Sequence, residues 1–502
     1  MDAEIDVDVI VIGAGPTGLM LAGELRLGGA SVVVAEALER PTGQSRGLGF
    51  TARALESFDQ RGLVPRFEGL ETSPMGHFGG VVFDYTVLED AHFGARGIPQ
   101  SATEAVLEEW AGELGADIRR GLVFRSLTQD DDGVTVTLTG ADGAGHRLRG
   151  RYLVGADGGH SAVRRAGGFN FPGTSATRGM YLADVVGCAV KPRPLGERLP
   201  GGMVMAAPLS EGVDRIIVCE DGTPPAGRSE NPEFAEVAAA WQRLTGEDIS
   251  GGGADWVSSF TDATRQVTAY RRGRVLLAGD AAHIHLPAGG QGLSTGVQDA
   301  VNLGWKLAAT VRGHAPEGLL DTYHEERHAV GERLLSNTRA QGTVFLGGPE
   351  SQPFRDLFAE LIGYDEVKRH LAGSVSHLDV RYGAGSGAAG PWLTEHRLTG
   401  RRLPPRVLET PAGPVRTPGL LHSGQGVLLD LAGDAALRGT AAGWKDRVDT
   451  VTGIPREADA FGGAAALLVR PDGYVAWAGA DTAGLATAMR RWFGAPGSPD
   501  LT

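Results

Sequence analysis

Three clusters in this 502-residue chain set glycines beside a few charged or histidine side chains at spacings that could do chemistry. The first lies in "VDVIVIGAGPTGLM", where Gly13, Gly15 and Gly18 form G-x-G-x-x-G and Glu36 follows 23 positions after Gly13. Gly13 suits a tight turn, Gly15 lets backbone approach a pyrophosphate, and Gly18 lets a helix close on a sheet. Ala14, Pro16 and Thr17 complete a loop whose helix start offers N–H groups and partial positive charge to phosphates, with Pro16 where a missing N–H is harmless. Glu36 can accept bonds from ribose hydroxyls. With strand, helix and acidic residue all in place, the motif reads as a dinucleotide site, against the bland alternative of glycines used only for packing. Which dinucleotide stays open.

The second cluster, "YLVGADGGHSAVRRAGG", delivers Asp157 and Gly158 from a strand, followed by Ser161 and Arg164; alone, Asp-Gly after a strand is ordinarily just a turn. The third spans Gly273 to Leu307, "GRVLLAGDAAHIHLPAGGQGLSTGVQDAVNLGWKL". Asp280 ends a strand where it can reach a chain of sugar-like hydroxyls. Pro287 to Gly292 is nearly bare of side chains, and the helix starting near Gly292 aims its positive end back at that loop. A metal site, a tight core turn and a flat ligand on exposed backbone all compete here. The metal reading fails on count: His283 and His285 are two apart, on opposite faces of an extended segment, with no third ligand nearby. They read as loop braces, and a flat ring holding negative charge fits the cradle.

The elements that must position these clusters are legible. Val7 to Ile12 and Ser31 to Glu36 read as strands buried on both faces, joined by a helix over Pro16 to Leu27, a βαβ unit of parallel strands. "SATEAVLEEWAGEL" sets Ser101 three residues before Glu104, a capping-box pattern. "GVTVTLTGADGAGHRLRGRYLVGADG" alternates as a hairpin. From about Met180 to Phe260 short strands separated by Gly and Pro predict an antiparallel sheet, inserted before buried-strand character returns at Val275 to Ala278. Long helices follow at roughly Gly292 to Val311 and Leu319 to Ala340. Residues 383–391, "GAGSGAAGP", form the clearest linker, ahead of a small α/β unit.

Bulk composition narrows the partners. With 47 basic and 61 acidic residues the net charge is −14, the wrong sign for nonspecific attraction to nucleic acid or anionic lipid. Cys188 and Cys219 are the two cysteines, without CxxC, so a disulfide framework and a zinc cluster are excluded and a reducing cytoplasm is expected. No basic leader or run of about 18 apolar residues points to secretion or membrane spanning. A monomer or homodimer is the expected state.

Taken together, the three clusters resemble the FAD-binding signatures of the class A flavoprotein aromatic hydroxylases, the family that includes para-hydroxybenzoate hydroxylase, over about the first 340 residues. "QSRGLGFTARALESFDQRGL", "GHFGG", "FPGTSAT", "LPGGMVM" and the small C-terminal unit look like the angucyclinone hydroxylases of aromatic polyketide biosynthesis. The resemblance implies an α/β fold: a Rossmann-like FAD-binding domain (1–175 and 268–345) with an inserted antiparallel-sheet substrate domain (176–267). Residues 74–99 would join that sheet domain, 346–390 form a helical segment and linker, and 391–502 a thioredoxin-like domain. Lacking cysteine after Cys219, that tail does no thiol redox work.

Residue by residue, the resemblance puts Gly13 to Gly18 on the ADP part of FAD, Glu36 on its ribose, Gln100 near the ribityl chain, Asp157 near the cofactor and Asp280 on a ribityl hydroxyl. The backbone of Gly289, Gly290, Gln291, Gly292 and Leu293 would meet the flavin ring. Arg46, beside FAD and the incoming nicotinamide nucleotide, and Pro287 take the catalytic positions. Arg53, His77, Met203 and Met205 would line the substrate cavity, although Arg53 also reads as a solvated charge and both methionines as core. The activity implied is hydroxylation of an electron-rich ring of a polycyclic aromatic polyketide, with molecular oxygen, through a flavin C4a-hydroperoxide. NADPH, or NADH, would be the reductant. No base can be named; a Baeyer–Villiger oxygenase and a non-catalytic FAD-binding protein are the rival readings.

Overall fold

The computed structural model describes residues 4–67, 72–223, 225, 232–383 and 396–497. Strand β1 (Val7–Ile12) leads through the first glycine loop into α1 (Pro16–Leu27), and β2 (Val32–Glu36) returns parallel to β1. After α2 (Ala52–Asp59), β3 (Met75–Phe78) and β4 (Val81–Asp84) pair as a separate two-stranded sheet. Helix α3 (Gln100–Glu113) precedes β5 (Asp117–Arg120), which adds parallel to β2. The meander β6 (Val123–Gln129), β7 (Val134–Thr139) and β8 (Gly145–Gly155) ends with β8 parallel to β1, and α4 (Ala162–Ala166) and β9 (Gly173–Thr174) follow.

The inserted sheet has the order β11 (Arg193–Leu199), β12 (Gly202–Ser210), β13 (Val213–Glu220), β10 (Gly179–Val186), β14 (Gly253–Thr261), antiparallel throughout. Helix α5 (Phe234–Thr245) covers one face, packing Val237 and Trp241 on Ala183, Val204, Ile216 and Val218. The chain re-enters the first domain through β15 (Thr264–Gln266), β16 (Arg271–Arg272), β17 (Val275–Leu277) and β18 (His283–Ile284). Next come α6 (Gln291–Val311), α7 (Thr322–Leu346), α8 (Gln352–Leu361) and α9 (Asp365–Ser376).

In the C-terminal unit, β19 (Val407–Thr410), β20 (Gly413–Arg416) and β23 (Ile454–Pro455) make a small side sheet. The main sheet runs β22 (Val448–Thr452), β21 (Gly426–Asp430), β24 (Ala466–Val469), β25 (Val475–Gly479), with β21 and β22 parallel and the rest antiparallel. Helices α10 (Ala435–Ala441) and α11 (Thr482–Phe493) pack on one of its faces.

Register explains why three distant glycine clusters can share one site. Leu277, Gly155, Ile12 and Ala35 stand side by side across β17, β8, β1 and β2, so every cluster leaves the same carboxyl edge of one parallel sheet. That edge is where open α/β sheets bind ligands.

Several expectations need correction. The Ser101/Glu104 capping box does not form: α3 begins at Gln100, Ser101 Oγ meets Ser45 Oγ at 3.0 Å, and Glu104 accepts from Gln100 Nε2 at 2.7 Å. Competing side-chain partners from a neighbouring loop outweigh the local pattern. Residues 75–84 pair as a sheet of their own beside the five-stranded one, and Phe78, Phe83 and Tyr85 form a cluster with Ile362, Ala372 and Val375 of the helical segment. Helix α7 starts later and runs further than Leu319 to Ala340. Of the linker, residues 384–391 lie outside the described residues.

Candidate active site

The first cluster is shaped by backbone contact. Gly13 has φ +106, and a Cβ there would stand 2.5 Å from the Ala156 carbonyl oxygen, so the first and second clusters touch backbone to backbone. A Cβ on Gly18 would lie 2.0 Å from Gly13 O. In front of Gly15, by contrast, a Cβ meets nothing within 4 Å. Neither α1 nor α6 has a side-chain cap, so both present bare N–H groups. Glu36 accepts from Ala14 N–H at 2.7 Å and Leu38 N–H at 2.9 Å, fixing its carboxylate at the loop.

Asp157 spends its carboxylate otherwise: it accepts from Ser161 Oγ (2.5 Å), Ala162 N–H (2.7 Å) and Val163 N–H (3.1 Å), capping α4. Only its backbone faces Gly13. Arg164 donates to Ala281 O at 3.0 Å, tying the second cluster to the third. Thr17 does the same from the first, since Cβ atoms on Gly279 and Gly296 would stand 2.7 and 2.3 Å from its Oγ1.

Asp280 is exposed and its carboxylate has no hydrogen-bond partner among the described residues, a free acceptor at the sheet edge. Pro287 and Gly290 are exposed; Gly289 (φ +72) and Gly290 (φ +64) both adopt the left-handed conformation that turns the loop into α6. Gln291 is buried, donates weakly to Ala288 O (3.4 Å), and leaves Oε1 without a partner. Gly292 lies beside His285, and Leu293 packs so closely on Gly47 that a Cβ there would be 2.2 Å away. Gln100 N–H donates to Gly47 O at 3.1 Å, so the Arg46 loop is pinned from two sides. Arg46 itself is exposed, with no partner among the described residues.

The histidines do brace the loop, through a residue that sequence reasoning passed over. Fully buried Asp299 of α6 accepts from His283 Nε2 (2.8 Å), Gly279 N–H (3.1 Å) and Arg327 Nε (2.6 Å). Burial alone would raise its carboxyl, but Arg327 and His283 outweigh that and hold it below the usual range. An Asp amid the apolar run of α6 was the available signal. Burial lowers His285, whose Nδ1 faces Leu286 O at 2.7 Å. Among the described residues no group of three or more His, Cys, Asp or Glu could hold a metal.

The inserted sheet turns three rows of side chains toward this loop, given by its register. Met203, Cys219, Met180 and Phe260 form the first row, against Leu286, Ala288, Phe345 and Leu346. Met205, Ile217, Leu182 and Ser258 form the second. Arg215, Asp184 and Trp256 form the third, where Arg215 grips Asp184 at 2.7 and 2.8 Å and donates to Ser45 O at 2.5 Å. Alternation in "DRIIVCE" could have placed Arg215 on the Ile217 and Cys219 face. His77, lowered by burial, accepts from Gly80 N–H at 3.3 Å in a hairpin turned toward Val344 and Phe345.

Arg53 is not a solvated charge: it is buried, donating to Asp472 O at 2.9 Å beneath the C-terminal unit. A cavity of about 680 Å³ alongside α7 shares only Gln291 with the predicted residues.

FAD fits this edge: an open approach at Gly15, uncapped starts of α1 and α6, Glu36 and Asp280 as acceptors, and bare backbone at residues 289–290. Family comparison agrees. Residues 6–338 match the family model "FAD binding domain", and 396–496 match "Aromatic-ring hydroxylase, C-terminal". The chain is 45% identical over 97% of its length, and 99% of the relative's, to a rifampicin monooxygenase of Streptomyces venezuelae. It is 44% identical, with the same coverages, to the 12-dehydrotetracycline 5-monooxygenase/anhydrotetracycline 6-monooxygenase of Streptomyces rimosus. The crystal structure of CabE, an aromatic hydroxylase from angucycline biosynthesis, superposes with a TM-score of 0.93 at 59% identity, covering 98% of this chain and 100% of that one. This chain therefore belongs to the FAD-binding aromatic-ring hydroxylase family and is a FAD-dependent aromatic monooxygenase.

Proposed function

We propose that the enzyme hydroxylates a fused polycyclic aromatic polyketide of the angucyclinone type, with NADPH, or NADH, as reductant. One atom of molecular oxygen enters the ring as hydroxyl; the other leaves as water with the two electrons of the nicotinamide nucleotide and a proton. The single observation that carries the substrate class is the sheet face opposite residues 286–290. Its first two rows hold no charged side chain and run broad and apolar, with three methionines and a cysteine that adapt to a large flat ring system. Likeness to CabE supports the same class.

Bound FAD supplies oxygen activation, so the residues need only position and shield. In this reading the α1 N-terminus and Gly15 take the pyrophosphate, Glu36 a ribose, and Asp280 a ribityl hydroxyl. The uncapped α6 N-terminus would favour negative charge on a flavin ring held there. Arg46 meets the phosphates of the arriving nicotinamide nucleotide, and Arg215 holds its loop through Ser45. Met180, Met203, Met205, Ile217 and Phe260 keep water from the reacting ring.

The test is to purify the protein, record its visible spectrum, and follow NADPH and oxygen consumption with angucyclinones, identifying products by mass. A yellow protein giving a substrate-dependent gain of one oxygen on an intact ring supports the proposal. Ring opening would point to Baeyer–Villiger chemistry, and a yellow protein without substrate-stimulated oxygen uptake would overturn it.

A further inference from the structure

The tip of a β-hairpin normally lies in water, yet the turn between β24 and β25, Arg470-Pro471-Asp472-Gly473-Tyr474, is buried throughout. It is driven into the back of the FAD-binding domain. Arg470 binds Glu326 of α7 in a two-pronged contact at 2.6 and 2.9 Å and also grips Asp472. Asn302 of α6 donates to Glu326 (2.7 Å) and Asp472 (3.3 Å), and Lys306 of α6 donates to Glu326 (2.7 Å). From α2, Arg53 holds Asp472 O at 2.9 Å. Arg61 holds Pro471 O at 2.8 Å while gripping Glu24 of α1 at 2.6 and 2.9 Å. One residue along α7, Arg327 donates to Tyr382 Oη (3.2 Å) and to Asp299, the residue that fixes Gly279 and His283. The Tyr382 ring packs on Tyr474.

Both helices that carry cofactor-facing N-termini are therefore tied to this turn further along, α6 directly through Asn302 and α1 through Arg61, which bridges Glu24 and the Pro471 carbonyl. Glu24 lies about 12 Å along α1 from Pro16, and Asn302 about 17 Å along α6 from Gln291. Helices are stiff over such spans, and buried charges tolerate little misplacement because an unpaired one is costly. We infer that the C-terminal domain, which has no cysteine of its own, is a cofactor clamp. Its Arg470-to-Tyr474 turn sets the spacing of α1 and α6, and Arg470 is a positioning residue for FAD that never touches it.

Linkage makes this testable in both directions, because a clamp that tightens FAD binding must itself be tightened by FAD. Hydrogen exchange is followed in the full-length apoprotein with and without FAD, at the amides of Arg470, which donates to Tyr474 O, and Gly473, which donates to Arg470 O. FAD slows both about tenfold, and Arg470→Gln weakens FAD binding about tenfold. Leu437→Ala, in the C-terminal core away from the turn, lowers Tm but leaves the FAD Kd unchanged below its transition. Unchanged exchange at both amides, or an FAD Kd in folded Arg470→Gln equal to the wild type's, overturns the clamp. Should Arg470→Gln not fold, the wild-type exchange experiment decides alone. The inference rests on FAD binding and not on the substrate: failure of the wild type to bind FAD would sink the site itself, whereas binding without altered exchange sinks only the clamp.

Discussion

Arg215 and Asp184 sit opposite each other on adjacent strands of the inserted sheet, their side chains joined at 2.7 and 2.8 Å in a buried pair that also reaches the Ser45 carbonyl. The pair spans the boundary between sheet and cofactor loop. Arg215→Ala leaves Asp184 buried and alone, costing about 3–5 kcal/mol. Arg215→Met with Asp184→Leu recovers most of that in thermal melting, yet still lacks the bond to Ser45, so its kcat/KM stays depressed. A double variant with full activity would show that the loop needs no tether.

Gly15 separates a ligand site from a packing site. Its φ of −78° suits any residue and a Cβ there meets open space, so Gly15→Ala folds with an unchanged Tm. If pyrophosphate approaches that backbone, FAD titration of the apoprotein shows a Kd at least about tenfold weaker. Gly18→Ala, whose Cβ would stand 2.0 Å from Gly13 O, should lose stability as well.

His377, buried between α9 and α6 with Nδ1 3.0 Å from Gln298 Nε2, is pushed down to about 3 by burial and by Arg327 and Arg333. In the unfolded chain it takes up a proton near pH 6.5, while in the fold it resists until about 3. The unfolded state therefore binds more protons across that window, and stability falls as pH drops below 6.5. Fully developed, the effect is on the order of 5 kcal/mol. His377→Gln flattens that part of the pH dependence in chemical denaturation; an unchanged slope would mean that another group titrates.

Arg53→Met separates a structural role from a place in the substrate cavity. Arg53 contacts Asp472 O and lies near Glu56, so the variant should lower Tm by several degrees while leaving the KM for the aromatic substrate within about twofold. A large rise in KM at unchanged Tm would return Arg53 to the substrate cavity.

Ile217→Trp fills the middle of the apolar face that packs toward Leu286 and Ala288. Substrate KM should rise at least about tenfold, and FAD content should stay at one per chain. Loss of FAD together with substrate binding would place the ring system elsewhere.

Local chemistry settled the parts that the chain by itself determined. The fit of Pro16 to Leu27 as helix, the buried runs of β1 and β2, and the glycines flanking them follow from short-range sterics and periodicity, which need no partner to be read. So the dinucleotide edge, the inserted sheet and the small C-terminal unit were all visible in residue order. Tertiary structure decided what depends on distant partners. Asp157 became a cap because α4 starts beside it, Ser101 turned to Ser45 instead of capping its own helix, and Arg53 was taken by Asp472, some four hundred residues away. Asp299, Arg215 and Arg470 read as ordinary charges until burial forced each to find a partner, because a charge removed from water is stable only when paired, and which partner is near depends on how the chain folds back.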